Sequence, residues 1–248
     1  MIAGSLEKGA VRGVLLDIEG TTSAIAFVYD VMFPFARREL AAYLDHHWSE
    51  VDCAAAAEQV AADAGHASLA AWAAKTGDDA RSLVQAEVQR LMDADIKATG
   101  LKQLQGLIWQ AGFESGEMRA HLFDDVPAAI QTWRDLGVDV RIYSSGSVHA
   151  QKLFFGHSEA GDLLPHFTGH YDTTTGPKKE AASYTLIADD WGFAPEAILF
   201  LSDVVAELDA AHAAGMHTAL VNRPGNQPVD QPHAHPCITS FEQVSITI

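Results

Sequence analysis

Two continuous apolar runs that each close on a carboxylate constrain this chain more than any other feature: Val14-Leu15-Leu16 ending at Asp17, and Ile198-Leu199-Phe200-Leu201 leading through Ser202 to Asp203. Short unbroken apolar runs suit strands buried on both faces of a parallel sheet. In an open α/β sheet the carboxyl ends of such strands face one crevice, where ligands bind. Two acidic side chains distant in sequence are therefore expected at one site.

The rest of the chain fits that plan. Asp125 is placed to cap a helix carrying Pro127 in its first turn and Ile130, Trp133 and Leu136 on one face, with Gly137 ending it. Val138, Val140 and Ile142 alternate as a strand running into Tyr143-Ser144-Ser145-Gly146. A helix from about Lys179 to Trp191 precedes the second acidic strand, and another from Val205 to Ala214 precedes a strand over Thr218–Val221. Strand-helix-strand alternation predicts a doubly wound parallel sheet with right-handed crossovers. Residues 29–118 break the pattern. They are rich in Ala, Leu, Glu and Gln, with Leu83, Val84, Val88, Leu91 and Met92 at helical spacing and an Ala-rich run from Ala54 to Ala74 read as a packed helical pair. The expected organisation is an α/β core from residues 1–28 and 119–248, interrupted by a helical cap over 29–118.

The chain has 248 residues and 48% apolar content, enough for a sizeable core, and a net charge of -17. Such an acidic surface repels nucleic acid and anionic membranes, so neither is expected as a partner. Cys53 and Cys237 are far apart and show no CxxC spacing, which suits a reduced compartment. Residues 1–8 lack the basic start and apolar run of a signal peptide, and no segment is long enough to span a membrane. The expectation is a cytoplasmic monomer. His46-His47 and His233-Ala234-His235 read as exposed surface residues without a third metal ligand.

Each cluster has a task in phosphoryl transfer. A carboxylate such as Asp17 attacks phosphorus and splits a hard hydrolysis into two steps. An all-oxygen Mg²⁺ site from Asp17, Asp203 and a backbone carbonyl would let two anions approach. Ser144 or Ser145, the N–H groups near Gly146 and a lysine of Gly176-Pro177-Lys178-Lys179 would hold the phosphate oxygens. Glu19, two residues past Asp17, is placed to act as general acid. Taken singly, Asp17 and Asp203 could be turn caps, and Ser144-Ser145-Gly146-Ser147 an ordinary helix start.

In order along the chain, these clusters resemble the haloacid dehalogenase-like phosphatases, whose core is Rossmann-like. They resemble most the enolase-phosphatase family of methionine salvage, whose first motif is DxEGTT. Asp17-Ile18-Glu19-Gly20-Thr21-Thr22 fits it, as do Tyr143-Ser144-Ser145-Gly146-Ser147, Lys152-Leu153-Phe154-Phe155-Gly156-His157-Ser158, Leu101-Lys102-Gln103-Leu104-Gln105-Gly106 and Asn222-Arg223-Pro224-Gly225-Asn226. Ser202 stands where Thr is usual. The resemblance implies conversion of 2,3-diketo-5-methylthiopentyl-1-phosphate to an acireductone, with one Mg²⁺ per chain. It implies Asp17 as nucleophile and metal ligand, Glu19 as proton-transfer residue and carbonyl ligand, and Asp203 as metal ligand. Ser144, Ser145, Lys178, Lys102 and Gln105 would bind substrate, the motif register favouring Lys178 over Lys179. A phosphatase of the same superfamily with another phosphomonoester substrate is the alternative. A carbon-halide hydrolase would need no metal, and a non-enzymatic binding module would leave the carboxylates without a task.

Overall fold

The computed structural model describes residues 11–229 and 231–246; the N-terminal stretch read above for a signal peptide lies outside the described residues. Tyr29–Met118 forms one compact unit, and the chain on either side of it, up to Val28 and from Arg119 onward, forms another.

The second unit is built on a six-stranded, all-parallel sheet in the order β3-β2-β1-β4-β5-β6. The strands are β1 (Gly13–Leu16), β2 (Asp139–Tyr143), β3 (Gly169–Tyr171), β4 (Ile198–Ser202), β5 (His217–Val221) and β6 (Cys237–Ile238). β1 is central, and Val14, Leu15 and Leu16 are wholly buried. Leu16 lies level with Ile142 of β2 and with Leu201 of β4, so the residues that follow leave the sheet at one edge. Strand order reverses between β1 and β4, and in this topology the crevice opens outside that reversal. Helices α6 (Asp125–Asp135), α7 (Val148–Gly156), α8 (Ala181–Trp191) and α9 (Val205–Ala213) connect the strands. α8 and α9 bury Tyr184, Ile187, Trp191 and Leu208 against Leu15, Tyr143 and Phe200 of the sheet.

Two local expectations are corrected, and two short strands are added. α6 begins without a side-chain cap, because the Asp125 carboxylate is taken by stronger partners: both terminal nitrogens of Arg223, the Ser240 hydroxyl and the Phe241 N–H. A two-pronged guanidinium bond outweighs one bond to a helix N–H. His235 is buried rather than exposed, with Nδ1 2.8 Å from the Thr218 hydroxyl and Nε2 3.0 Å from Asp209. β3 and β6 carry no sequence signal because three and two residues cannot show a period.

The other unit holds five helices among its described residues: α1 (Phe33–His47), α2 (Val51–Asp63), α3 (Leu69–Thr76), α4 (Ala80–Asp93) and α5 (Thr99–Glu114). Val84, Val88 and Leu91 form the buried stripe of α4, which Asp79 caps by accepting from the Ser82 N–H. α5 lies close on α2 because Gly100 has no side chain; a Cβ there would sit 2.5 Å from the Val60 nitrogen. Asp63 of α2 accepts from the Gly100 N–H at 2.7 Å and satisfies one orphan donor of the α5 start. Among the described residues no helix is long and apolar enough to cross a membrane.

Candidate active site

Four elements of the sheet-bearing unit bring polar side chains to the carboxyl edge of β1. The chain leaves β1 at Asp17 and turns at once: the N–H groups of Thr21, Thr22 and Ser23 all return to the Ile18 carbonyl. Thr22 Oγ1 donates to the carbonyls of Asp17 and Ile18, so this threonine holds the turn. Gly20 sits in the left-handed region at φ +75°, and a Cβ there would meet Asp203 Oδ2 at 2.2 Å. Glycine at this position is thus required twice, by the backbone and by the approach of the β4 carboxylate.

Asp17 is buried and its Oδ1 is 2.5 Å from Lys178 Nζ, which also lies 2.7 Å from Glu207 Oε2. Glu207 is held in turn by the Ser202 hydroxyl at 3.1 Å, and that hydroxyl accepts from the Val204 N–H. Ser144 donates to Glu19 Oε2 at 3.3 Å and accepts from the Gly146 N–H at 3.2 Å. Ser147 caps α7 by accepting from Ala150 N–H. Ser145 and Lys179 are exposed. Lys102 and Gln105 lie on α5, the first exposed and the second buried.

Charge in this cluster is unbalanced. Burial pulls the Lys178 ammonium down, but the carboxylates of Asp17 and Glu207 outweigh it, and the net shift is upward. Burial raises Asp203 to about 7, helped by Asp17 and Glu207. Glu207 also rises to about 7, through burial and Asp17 against the pull of Lys178. Burial and then Asp17 raise Glu19, opposed by its backbone, Lys178 and Ser144. Four acids thus share one buried cation, and carboxyls pushed toward neutrality in a cleft mark a functional site. A group that is neutral near pH 7 and loses its proton readily is suited to general acid and base work.

Sequence reading passed over Glu207, although it follows Asp203 by one helical turn and so returns to the same strand end. It also passed over the clamp on the lysine loop. Three hydroxyls hold three successive carbonyls: Tyr143 donates to Gly176, Ser183 to Pro177 and Tyr184 to Lys178, at 2.8, 2.8 and 2.7 Å. Tyr184→Phe leaves the Lys178 carbonyl unmatched and is expected to cost about 1–2 kcal/mol in urea unfolding. It should lower kcat more than it raises KM, because Lys178 loses its fixed position. Unchanged stability and kcat would show that the clamp does nothing.

A buried carboxylate, a paired ammonium and a row of hydroxyl and N–H donors at one strand edge are the groups that a hydrolase acting on phosphate needs. The model of the haloacid dehalogenase-like hydrolases matches residues 11–215. An enolase-phosphatase E1 of Azotobacter vinelandii is 44% identical over 94% of this chain and 97% of its own length. One of Sorangium cellulosum is 49% identical over 86% and 89%. The crystal structure of the UTR4 protein of Saccharomyces cerevisiae superposes with a TM-score of 0.77 at 33% identity, covering 94% of this chain and all of that one. The chain belongs to the enolase-phosphatase family of the haloacid dehalogenase-like hydrolases.

Proposed function

We propose that this protein converts 2,3-diketo-5-methylthiopentyl-1-phosphate to the acireductone 1,2-dihydroxy-3-keto-5-methylthiopentene and phosphate, the enolase-phosphatase step of methionine salvage. The observation that carries the chemistry is the buried Asp17 carboxylate at the end of the central strand, held 2.5 Å from Lys178. Family membership supplies the substrate.

The bound diketone first loses a C1 proton and gains one on the C2 oxygen to give the enol. Asp17 then attacks phosphorus, the bond from phosphorus to the C1 enol oxygen breaks, and Glu19 gives that oxygen its proton. The aspartyl phosphate is then hydrolysed by water, with Glu19 now accepting a proton. Ser144, Ser145, the Gly146 N–H and Lys178 orient the phosphate oxygens. The family likeness assigns Lys102 and Gln105 to the substrate as well.

A hard divalent cation fits this donor set. The acids are oxygen ligands in excess of cations, and burial, with like charge beside it, drives Asp203 toward neutrality. Among the described residues no three His, Cys, Asp or Glu enclose one point. The family likeness assigns the donors as Asp17, Asp203 and the Glu19 carbonyl, which water would complete, as suits Mg²⁺. When bound, Mg²⁺ supplies the positive charge that lets two anions meet and draws charge from phosphorus.

Because Asp203 keeps its proton below about 7, the ion must displace that proton at lower pH. Mg²⁺ affinity of the free protein is expected to fall about fivefold between pH 7 and pH 6 and little between pH 8 and 7.5. Calorimetric titration at these pH values checks it, and a flat profile would remove Asp203 as a ligand. The proposed activity is tested by following enol absorbance and inorganic phosphate together on the diketo phosphate, with Mg²⁺ and with EDTA. Enol followed by phosphate, both diminished by EDTA, supports the assignment. Phosphate from simple monoesters with no enol would leave a phosphatase of another substrate.

A further inference from the structure

The turn after β5, Asn222-Arg223-Pro224-Gly225-Asn226, carries two polar side chains that are satisfied to different degrees. Arg223 is buried and engaged throughout, by Asp125 and by the carbonyls of Thr21 and Thr239. Asn226 is engaged at one end. Its Nδ2 donates to the Gly20 carbonyl at 2.9 Å and to the Val221 carbonyl at 3.2 Å. Both partners can only accept, so the nitrogen must face them and the amide has one possible orientation. Oδ1 is then shielded from solvent and meets no donor among the described residues.

What lies beside Oδ1 is informative. The point that a Gly20 side chain would occupy is 3.1 Å from Asn226 Oδ1 and 2.2 Å from Asp203 Oδ2. Both oxygens therefore lie against the face of the turn where Gly20 carries no side chain. A buried acceptor without a donor is costly, and Asn226 Oδ1 is one. The missing partner must carry a hydrogen directed at Oδ1. Water bound to a divalent cation does so, since the ion polarises its O–H groups, and Mg²⁺ retains several such waters.

We propose that Asn226 Oδ1 accepts a hydrogen bond from a hydration water of the divalent cation held at Asp203. Asn226 is thus a positioning residue that ties the ion's water to the β1 turn through Gly20. The inference rests on the cation reading above. Groups that orient a metal's ligands from outside its coordination sphere typically affect metal affinity by about 10- to 100-fold when removed.

The test is calorimetric titration of the full-length protein with MgCl₂, for the wild type and Asn226→Ala, with melting temperatures measured in EDTA. The variant is expected to bind Mg²⁺ at least about tenfold more weakly. Affinity within twofold of the wild type, with a lowered melting temperature, would mean that Asn226 merely ties two loops together and would overturn the proposal. Tighter binding would overturn it too, because it would mean that Oδ1 had been accepting a proton from Asp203 that the ion must displace. A wild type that binds no Mg²⁺ would remove the cation reading along with this one. If the variant does not fold, a high-resolution crystal structure of the wild type with Mg²⁺ decides. A water within hydrogen-bond reach of Oδ1 and coordinated to the ion supports the proposal, and Oδ1 without one refutes it.

Discussion

Asp17→Asn is expected to abolish phosphate release, with turnover down by about 10⁴-fold or more. The amide has nearly the same shape but no charge to attack phosphorus, so no aspartyl phosphate forms. The fold should tolerate the change, because the backbone N–H of Asp17 bonds the Leu201 carbonyl at 3.1 Å whatever the side chain is. Acid-quenched intact mass measurements should detect a phosphoryl adduct on the wild type during turnover and none on the variant. A variant with near-normal phosphate release would show that another group is the nucleophile.

Lys178→Met is expected to damage both activity and stability. Its ammonium lies within 2.7 Å of two carboxylates, and the side chains of Lys178, Asp17 and Glu207 are 8%, 4% and 10% exposed. Methionine fills the volume but leaves two buried acids without a counter-charge, which costs about 3–5 kcal/mol when a buried pair loses one partner. Turnover should fall by about 10²–10³ or more, since a charged donor to the transferring phosphate is lost. The stability deficit should depend on pH in a defined direction. Glu207 titrates at about 7 even with Lys178 beside it, above its ordinary value of 4.5, so its charged form is the unfavourable one in the fold. Lys178 relieves that strain only when Glu207 is ionised. Without Lys178 the Glu207 carboxyl rises further, so the deficit is largest well above pH 7 and shrinks as pH falls toward that value and Glu207 takes a proton in the variant. Urea unfolding of both proteins at pH 8 and pH 6 checks this; a deficit that grows on acidification, or turnover within tenfold of the wild type, would refute it.

Much of this architecture could be read from residue patterns, and the limits of that reading are physical. β1 and β4 announce themselves because a strand buried on both faces must be apolar throughout, whatever surrounds it. Their carboxylate ends announce a site because burying an acid at the end of such a strand is unfavourable without a task. The helices of Tyr29–Met118 are similarly local, written in the spacing of Val84, Val88 and Leu91. By contrast β6 exists only because β5 offers it an edge, and His235 is buried only because Asp209 and Thr218 meet it there. Asp125 looked like a helix cap because a cap needs nothing but its own neighbours. Its true partner, Arg223, is 98 positions away.

The site divides along the same line. By itself the sequence determined which chemical groups the protein carries and in what order: the acid at Asp17 proposed to attack, the acid at Glu19 proposed to transfer the proton, the serines, the lysine loop and the second acidic strand end. These follow from side-chain chemistry and from the periodicity of single elements, which act over a few residues. Tertiary structure alone decided which of them touch. It paired Lys178 with both Asp17 and Glu207, clamped the lysine loop with Tyr143, Ser183 and Tyr184, and set Asp203 against Gly20 with the unmatched oxygen of Asn226 beside it. Distances of 2 to 4 Å between residues far apart in sequence arise from sheet register and helix packing, and no local pattern in a chain encodes them.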